Sequence, residues 1–313
     1  MKPFQSYSPE DIISSNLQEL NHRLGILYEQ NKAHLQELAR LIAEDGIHSD
    51  FLSSLPDHRP TLAPPDNAAL LPNNVKDIKG VHTFNQSIQI PLLCKELYHL
   101  LSQHREFSLS FFFADANEVS KDAFHRIVYQ KNSFTDVAYL QFSSILTDAR
   151  ATYAHSFVAA CEEVYNGYCE YCILPIENAS EGQLQSFYRL IERYELKIAL
   201  CCKVNSASLD RSTYFALLRR NMLPNFKLED KAERFEFSIP KTISPAPFEV
   251  LTAAELCGLR LHRINSFPEQ GSTDGFATHY SFLTNGSELY SFLLYLAMEA
   301  PHHTPIGLYT NMN

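Results

Sequence analysis

A buried-type strand that runs straight into a compact polar loop constrains this chain more than any other feature. Tyr171-Cys172-Ile173-Leu174 is a short apolar run of the kind that sits inside a sheet. Pro175-Ile176-Glu177-Asn178-Ala179-Ser180-Glu181-Gly182 follows it, and Leu184, Phe187, Leu190 and Ile191 then fall on one helical face. Strand, loop and helix in that order belong to α/β folds, where ligands gather beyond the carboxyl ends of the strands. Ser180 stands where a helix N-cap belongs, so the sequence predicts helical amides open to an anion, with a carboxylate as the natural guest.

Composition narrows the partners. The chain has 313 residues, enough for two or three compact units, and 26 basic against 36 acidic residues give a net charge of −10. That balance argues against nucleic acid and against an anionic membrane surface. No apolar run approaches the ~20 residues of a membrane helix, and Met1-Lys2-Pro3-Phe4-Gln5-Ser6 lacks the apolar core of a secretory signal, so a cytoplasmic location is expected. With only 10 glycines, neither G-x-G-x-x-G nor a Walker loop can be assembled. No cofactor is expected. The 7 cysteines include Cys169 with Cys172 and Cys201 with Cys202, pairs open to a zinc reading or to buried thiols. Within strands, residues one or three apart point to opposite faces, which favours core thiols and no metal.

The chain divides by pattern into four parts. Ser8-Pro9-Glu10-Asp11 opens a long helix, whose stripe Ile13, Leu17, Leu20, Leu24, Leu27 resumes at Leu35, Leu38, Ile42; residues 1–55 form this N-terminal helical segment. Five of the 16 prolines fall between Pro56 and Pro72, marking residues 56–80 as a linker. Residues 81–229 read as an α/β domain. The pattern predicts helices over 91–103 and 119–129, a strand over 109–114, a short strand over 137–140, a helix over 156–165 and strands over 169–174 and 196–204. Residues 230–313 alternate strand-helix-strand-strand-helix-strand, a ferredoxin-like layer in which Gly258 stops the first helix.

Residues 173–182, with 159–166 before them and 190–204 after them, resemble the prephenate dehydratase family, in which a strand ends in Pro-Ile-Glu-Asn-Ser/Thr. Ser212-Thr213-Tyr214-Phe215-Ala216-Leu217-Leu218 resembles that family's Thr-Arg-Phe strand, and residues 233–313 resemble the ACT domain that follows it. Leu17-Gln18-Glu19-Leu20 is similar to the first helix of chorismate mutase, although Asn21 stands where that family has arginine. The resemblance implies an α/β plus α+β architecture: a partial periplasmic-binding-protein-like unit and a C-terminal ACT domain, paired as a homodimer. It also implies prephenate or an aromatic amino acid as ligand. By resemblance, Thr213, Asn178 and Ser180 are the candidate catalytic residues and Arg211 and Glu177 the candidate substrate-binding residues. Ala246, Asn265 and Ser266 fall at the effector-binding positions.

Two departures bear on function. The family inserts a second lobe between the strands matching 198–204 and 212–218, and here only residues 205–212 separate them, fewer than the ~10 to 12 of a single parallel crossover. Tyr214 replaces the arginine that would balance a dicarboxylate. At the effector positions, Pro245-Ala246-Pro247 replaces a glycine turn, and Asn265 and Phe267 replace Glu and Arg. Two readings follow: a non-catalytic relative with a binding or regulatory role in L-phenylalanine biosynthesis, or an active dehydratase making phenylpyruvate.

Overall fold

The computed structural model describes residues 36, 39–40, 83–102, 109, 112–113, 124–146, 148–205, 212–222, 234–241, 245–268, 276–284 and 286–312. Most of the N-terminal stripe, the proline-rich stretch and Arg211 lie outside these residues. Helix α1 (Thr83–Leu101) is followed by β1 (His125–Gln130), α2 (Ser133–Ser143), β2 (Ala149–Ala154), α3 (Phe157–Tyr165), β3 (Tyr171–Asn178) and β4 (Gly182–Gln183). Then come α4 (Gln185–Arg193), β5 (Lys197–Asn205), β6 (Ser212–Arg219), β7 (Arg234–Pro240), α5 (Pro247–Cys257), β8 (Arg260–Pro268), β9 (Phe276–Leu283), α6 (Ser287–Glu299) and β10 (Thr304–Met312).

Among the described residues, ten strands join one mixed sheet in the order β2-β1-β3-β6-β5-β10-β7-β9-β8, with β4 beside β3. β1, β2 and β3 run parallel, whereas β6 is antiparallel to both β3 and β5. The last strand joins the halves: β10 pairs parallel with β5 and antiparallel with β7. β3, β5 and β6 read as continuous apolar runs because both their faces are covered. Val128, Cys172 and Leu174 meet α3 and α4 on one face, and Ile127, Ile173 and Leu217 meet α2 on the other. In the C-terminal half, Phe235, Phe237, Tyr280 and Phe282 pack under α5 and α6, and α1 adds Leu93, Cys94 and Leu97 to the same core.

Local chemistry explains the helix ends. Asn132 Oδ1 accepts from the amides of Phe134 and Thr135, both at 3.0 Å, while Thr135 Oγ1 accepts from the Asn132 amide at 3.0 Å, which closes a capping box on α2. Ser156 caps α3 through the Ala159 amide at 3.1 Å. α5 begins at Pro247 and stops at Gly258, whose φ of 97° suits a residue without a Cβ.

Several expectations are corrected. Residues 137–140 lie in α2, because the capping box at Asn132 outweighs the strand propensity of Val137 and Tyr139. Residues 125–130 form a strand where the pattern gave a helix over 119–129. Of the strand expected over 109–114, residues 109, 112 and 113 are described, and the Leu109 carbonyl accepts from the amides of Phe112 and Phe113, a turn pattern that a strand does not make. β2 was missed, and α1 begins eight residues before Pro91. Of the N-terminal stripe's span, only residues 36, 39 and 40 are described; all three are helical, and Ala39 is buried in the core under α1.

Candidate functional site

The strand order 2-1-3 places a topological switch point between β1 and β3. The chain leaves β1 through α2 on one face and leaves β3 through α4 on the other, the arrangement in which α/β folds form a ligand crevice beyond the carboxyl ends of the strands. Asn178 ends β3 and stands directly across the ladder from Thr213 on β6. Side chains so paired share a face at ~4.5–5.5 Å between Cβ atoms, which brings these two candidates together.

Asn178 also builds the turn that follows. Its Oδ1 accepts from the Ser180 amide at 3.0 Å, the Ser180 hydroxyl at 3.1 Å and the Glu181 amide at 2.6 Å. Gly182, at φ 70°, then returns the chain into β4, where it pairs with Asn178. With Oδ1 engaged by two backbone donors, Nδ2 is the group that Asn178 can offer a ligand. Ser180 is therefore a turn residue, and its placement as a helix N-cap is corrected: α4 starts at Gln185, and its N-cap position, Leu184, makes no side-chain cap bond. The ten-residue passage from strand to helix contains a tight β-turn that the sequence reading did not foresee.

Sequence reasoning also missed a cation at the carboxyl end of β1, on the side of β2. Lys131 follows β1 directly, its ammonium 4.7 Å above the Tyr153 ring. Nearby, the Tyr129 hydroxyl donates to Asp136 Oδ1 at 3.0 Å. Assigning a helix to 119–129 hid Lys131; the signal was the apolar core of His125-Arg126-Ile127-Val128-Tyr129-Gln130, with Asn132 opening α2 after it.

Glu177 does not belong to this group. A register shift in β3 between Pro175 and Glu177 pairs Glu177 with Tyr214, which packs against the core under α4, so Glu177 lies on the α4 side. Arg263 of β8 holds it with two bonds, Nη2 to Oε1 at 2.7 Å and Nη1 to Oε2 at 2.9 Å. Asn265 donates through Nδ2 to Gln183 Oε1 on the same side. β3 and β8 stand six places apart in the sheet, so the sheet must coil round α4 for these side chains to meet. Tyr188 of α4 fills the concavity, stacked on Phe267 at 5.8 Å between centroids, with its hydroxyl donating to the buried carboxylate of Glu236 at 3.2 Å. Tyr309 donates to the same carboxylate at 2.8 Å. Burial and the neighbouring Glu236 push both phenols well above their ordinary range, so they remain donors.

The effector candidates are also divided. Asn265 faces α4, while Ser266 alternates to the other face, and Ala246 precedes α5 with its amide donating to Glu249 Oε2 at 2.7 Å. Cys201 and Cys202 lie in the cores on opposite faces of the sheet. Cys169, by contrast, precedes β3 and shares one core with Cys172 and Cys161, which corrects its placement in the strand. Burial raises the Cys172 thiol well above its usual range.

Among the described residues, a periplasmic-binding-protein-like α/β unit with an ACT-like βαββαβ layer is the fold this geometry defines. The family model described as prephenate dehydratase matches residues 129–205. The structure of prephenate dehydratase from Streptococcus mutans is similar in fold, with 18% identity and a TM-score of 0.51 over 60% of this chain and 100% of the other. Lower likeness is found to a prephenate dehydratase from Arthrobacter aurescens in complex with L-Phe (13% identity, TM-score 0.46, 59% of this chain and 90% of the other). GqqA, described as a novel type of quorum quenching acylase, is at a similar level (15%, 0.45, 59% and 94%). Among curated proteins, none matches the sequence significantly. The chain is thus prephenate dehydratase-like.

Proposed function

We propose that this chain is a non-catalytic relative of prephenate dehydratase that binds a carboxylate ligand in a regulatory role linked to L-phenylalanine biosynthesis, acting as a cytoplasmic homodimer. One observation carries this reading: Asn205 and Ser212 pair in register, so β5 and β6 close as a hairpin across residues 206–211. An opposing lobe has no place between them. Without it, a crevice at the sheet edge holds a ligand on one side and leaves the other to water, which suits binding better than expulsion of hydroxide and carbon dioxide. Lys131 supplies the counter-charge for a carboxylate, with Asn178 Nδ2 and the Thr213 hydroxyl as hydrogen-bonding groups. The dimer reading is supported by exposed Leu261 and Ile264 on the edge strand β8, with exposed Phe248 and Phe276 on α5 and β9.

The pairing of Thr213 with Asn178 favours the second reading, an active dehydratase using Thr213, Asn178 and Ser180. Incubation with prephenate, followed through phenylpyruvate absorbance, separates the two. No turnover is expected. Turnover that disappears in Thr213→Val would establish the enzyme instead. Thermal shift with prephenate, phenylalanine and tyrosine tests binding: a ligand at a hundredfold excess over Kd adds about 2.7 kcal/mol of apparent stability. A prephenate shift lost in Lys131→Gln is the expected result.

A further inference from the structure

The α4-facing side of the C-terminal sheet carries polar groups that the crevice does not use. Arg263, Asn265 and Phe267 alternate onto this side of β8, with Ser281, His279 and Ala277 opposite them on β9. Arg263 and Glu177 are 30% and 23% exposed at their side chains, so solvent reaches the pair. Ser281 Oγ, on the strand between Arg263 and Glu236, is buried without a hydrogen-bond partner among the described residues.

We propose that Arg263 and Asn265 form a binding site for a small 2-oxo or 2-hydroxy carboxylate, which Glu177 and Gln183 fill as built-in stand-ins while it is empty. The stand-ins define the guest. Glu177 presents two carboxylate oxygens to the guanidinium fork, an arrangement that selects a planar carboxylate over a single-point acceptor. Gln183 offers Asn265 a neutral carbonyl oxygen beside it. A 2-oxo acid carries both acceptors on adjacent carbons, and a simple carboxylate carries only the first. Exchange is feasible because solvent reaches both side chains of the pair, and Glu177 can swing to water when displaced. This site stands on the face opposite Asn178 and Thr213, so it is separate from the crevice.

Calorimetric titration of the full chain with phenylpyruvate, and with phenylacetate, which lacks the 2-oxo oxygen, tests the assignment. Glu177→Gln removes the competing charge and is expected to lower the phenylpyruvate Kd at least tenfold. Arg263→Gln is expected to abolish that binding, and Asn265→Ala to narrow the preference for phenylpyruvate over phenylacetate. If Arg263→Gln does not fold, Glu177→Asp, which shortens the internal carboxylate, is expected to bind several-fold tighter than the unaltered chain. Unchanged affinity in Glu177→Gln and Glu177→Asp overturns the proposal, as does absence of binding in every variant. Binding lost in Thr213→Val but kept in Arg263→Gln also overturns it, by placing the ligand in the crevice. Failure of the crevice reading shows separately, as a prephenate thermal shift that is absent or indifferent to Lys131.

Discussion

Glu236 is the residue on which the inner face of the C-terminal sheet turns. It is 6% exposed, and two tyrosine hydroxyls donate to it. A hydrogen bond to a charged group is worth ~1.5–3 kcal/mol, and removing a donor leaves the carboxylate short of a partner. Tyr309→Phe should therefore lower stability by about 2 kcal/mol in urea unfolding, and Tyr188→Phe by less, since its bond is longer. Equal, negligible effects would show that water replaces both donors. His279, against Phe267 at 4.4 Å between centroids, is held by burial at a pKa of about 4, below its ordinary 6.5. The unfolded chain takes up that proton first as pH falls. His279's contribution is therefore intact above pH 6.5 and declines toward pH 4, by on the order of 3 kcal/mol at most. His279→Phe should flatten this part of the urea-midpoint profile between pH 7 and 4. The resemblance to the dehydratase strands singled out Asn178 and Thr213, and the β3–β6 ladder pairs them. Lys131 and Arg263 were not legible from sequence, because one needed β1 and the other needed a sheet coiled through six strands to be brought near β3.

At the scale of elements, β10 and β5 form the seam of the molecule, and Gly307 makes it possible. A Cβ at this position would lie 2.7 Å from Ile198 Cβ and 2.8 Å from the Ile198 carbonyl oxygen, with backbone as the obstacle. Gly307→Ala should cost ~1–3 kcal/mol through this overpacking, read as a fall in the urea midpoint. Gly182→Ala meets no atom within 4 Å and tests a different term, the strain of φ 70° alone. β3 and β5, buried on both faces, announce themselves as apolar runs, whereas β7 was legible from its alternation and β6 from the family resemblance. β2, Ala-Arg-Ala-Thr-Tyr-Ala at the sheet edge, has one partner strand and no apolar alternation, and so went unseen. α2 was misread because Val137, Phe134 and Leu140 face outward, which blurs the helical stripe. The cap at Asn132 was the better signal.

For the whole molecule, the position of the last strand decides how the chain unfolds. β10 closes the C-terminal layer beside β7 and at the same time covers the edge of β5, so the two halves share a central strand. Lys197 Nζ reaches the Pro305 carbonyl at 2.7 Å across that seam, and Arg263 reaches Glu177 from the far end of the coiled sheet. Opening either half alone would expose β10 on one side and strip the coil from around α4, leaving the Glu236 carboxylate without Tyr188. Such an intermediate would bury unpaired polar groups or expose apolar edge, and both outcomes disfavour it. We therefore predict a single cooperative transition in place of two. The chain has no tryptophan, which permits clean reporters. Tyr153→Trp on β2 and Phe248→Trp on α5 replace exposed aromatic rings, so each should leave the fold intact. Their fluorescence midpoints in urea, and the far-ultraviolet circular dichroism of both variants, should coincide. Midpoints that separate, with the β2 reporter and the α5 reporter changing at different urea concentrations, would show two independent units touching at β10, and the seam would then be a contact between domains.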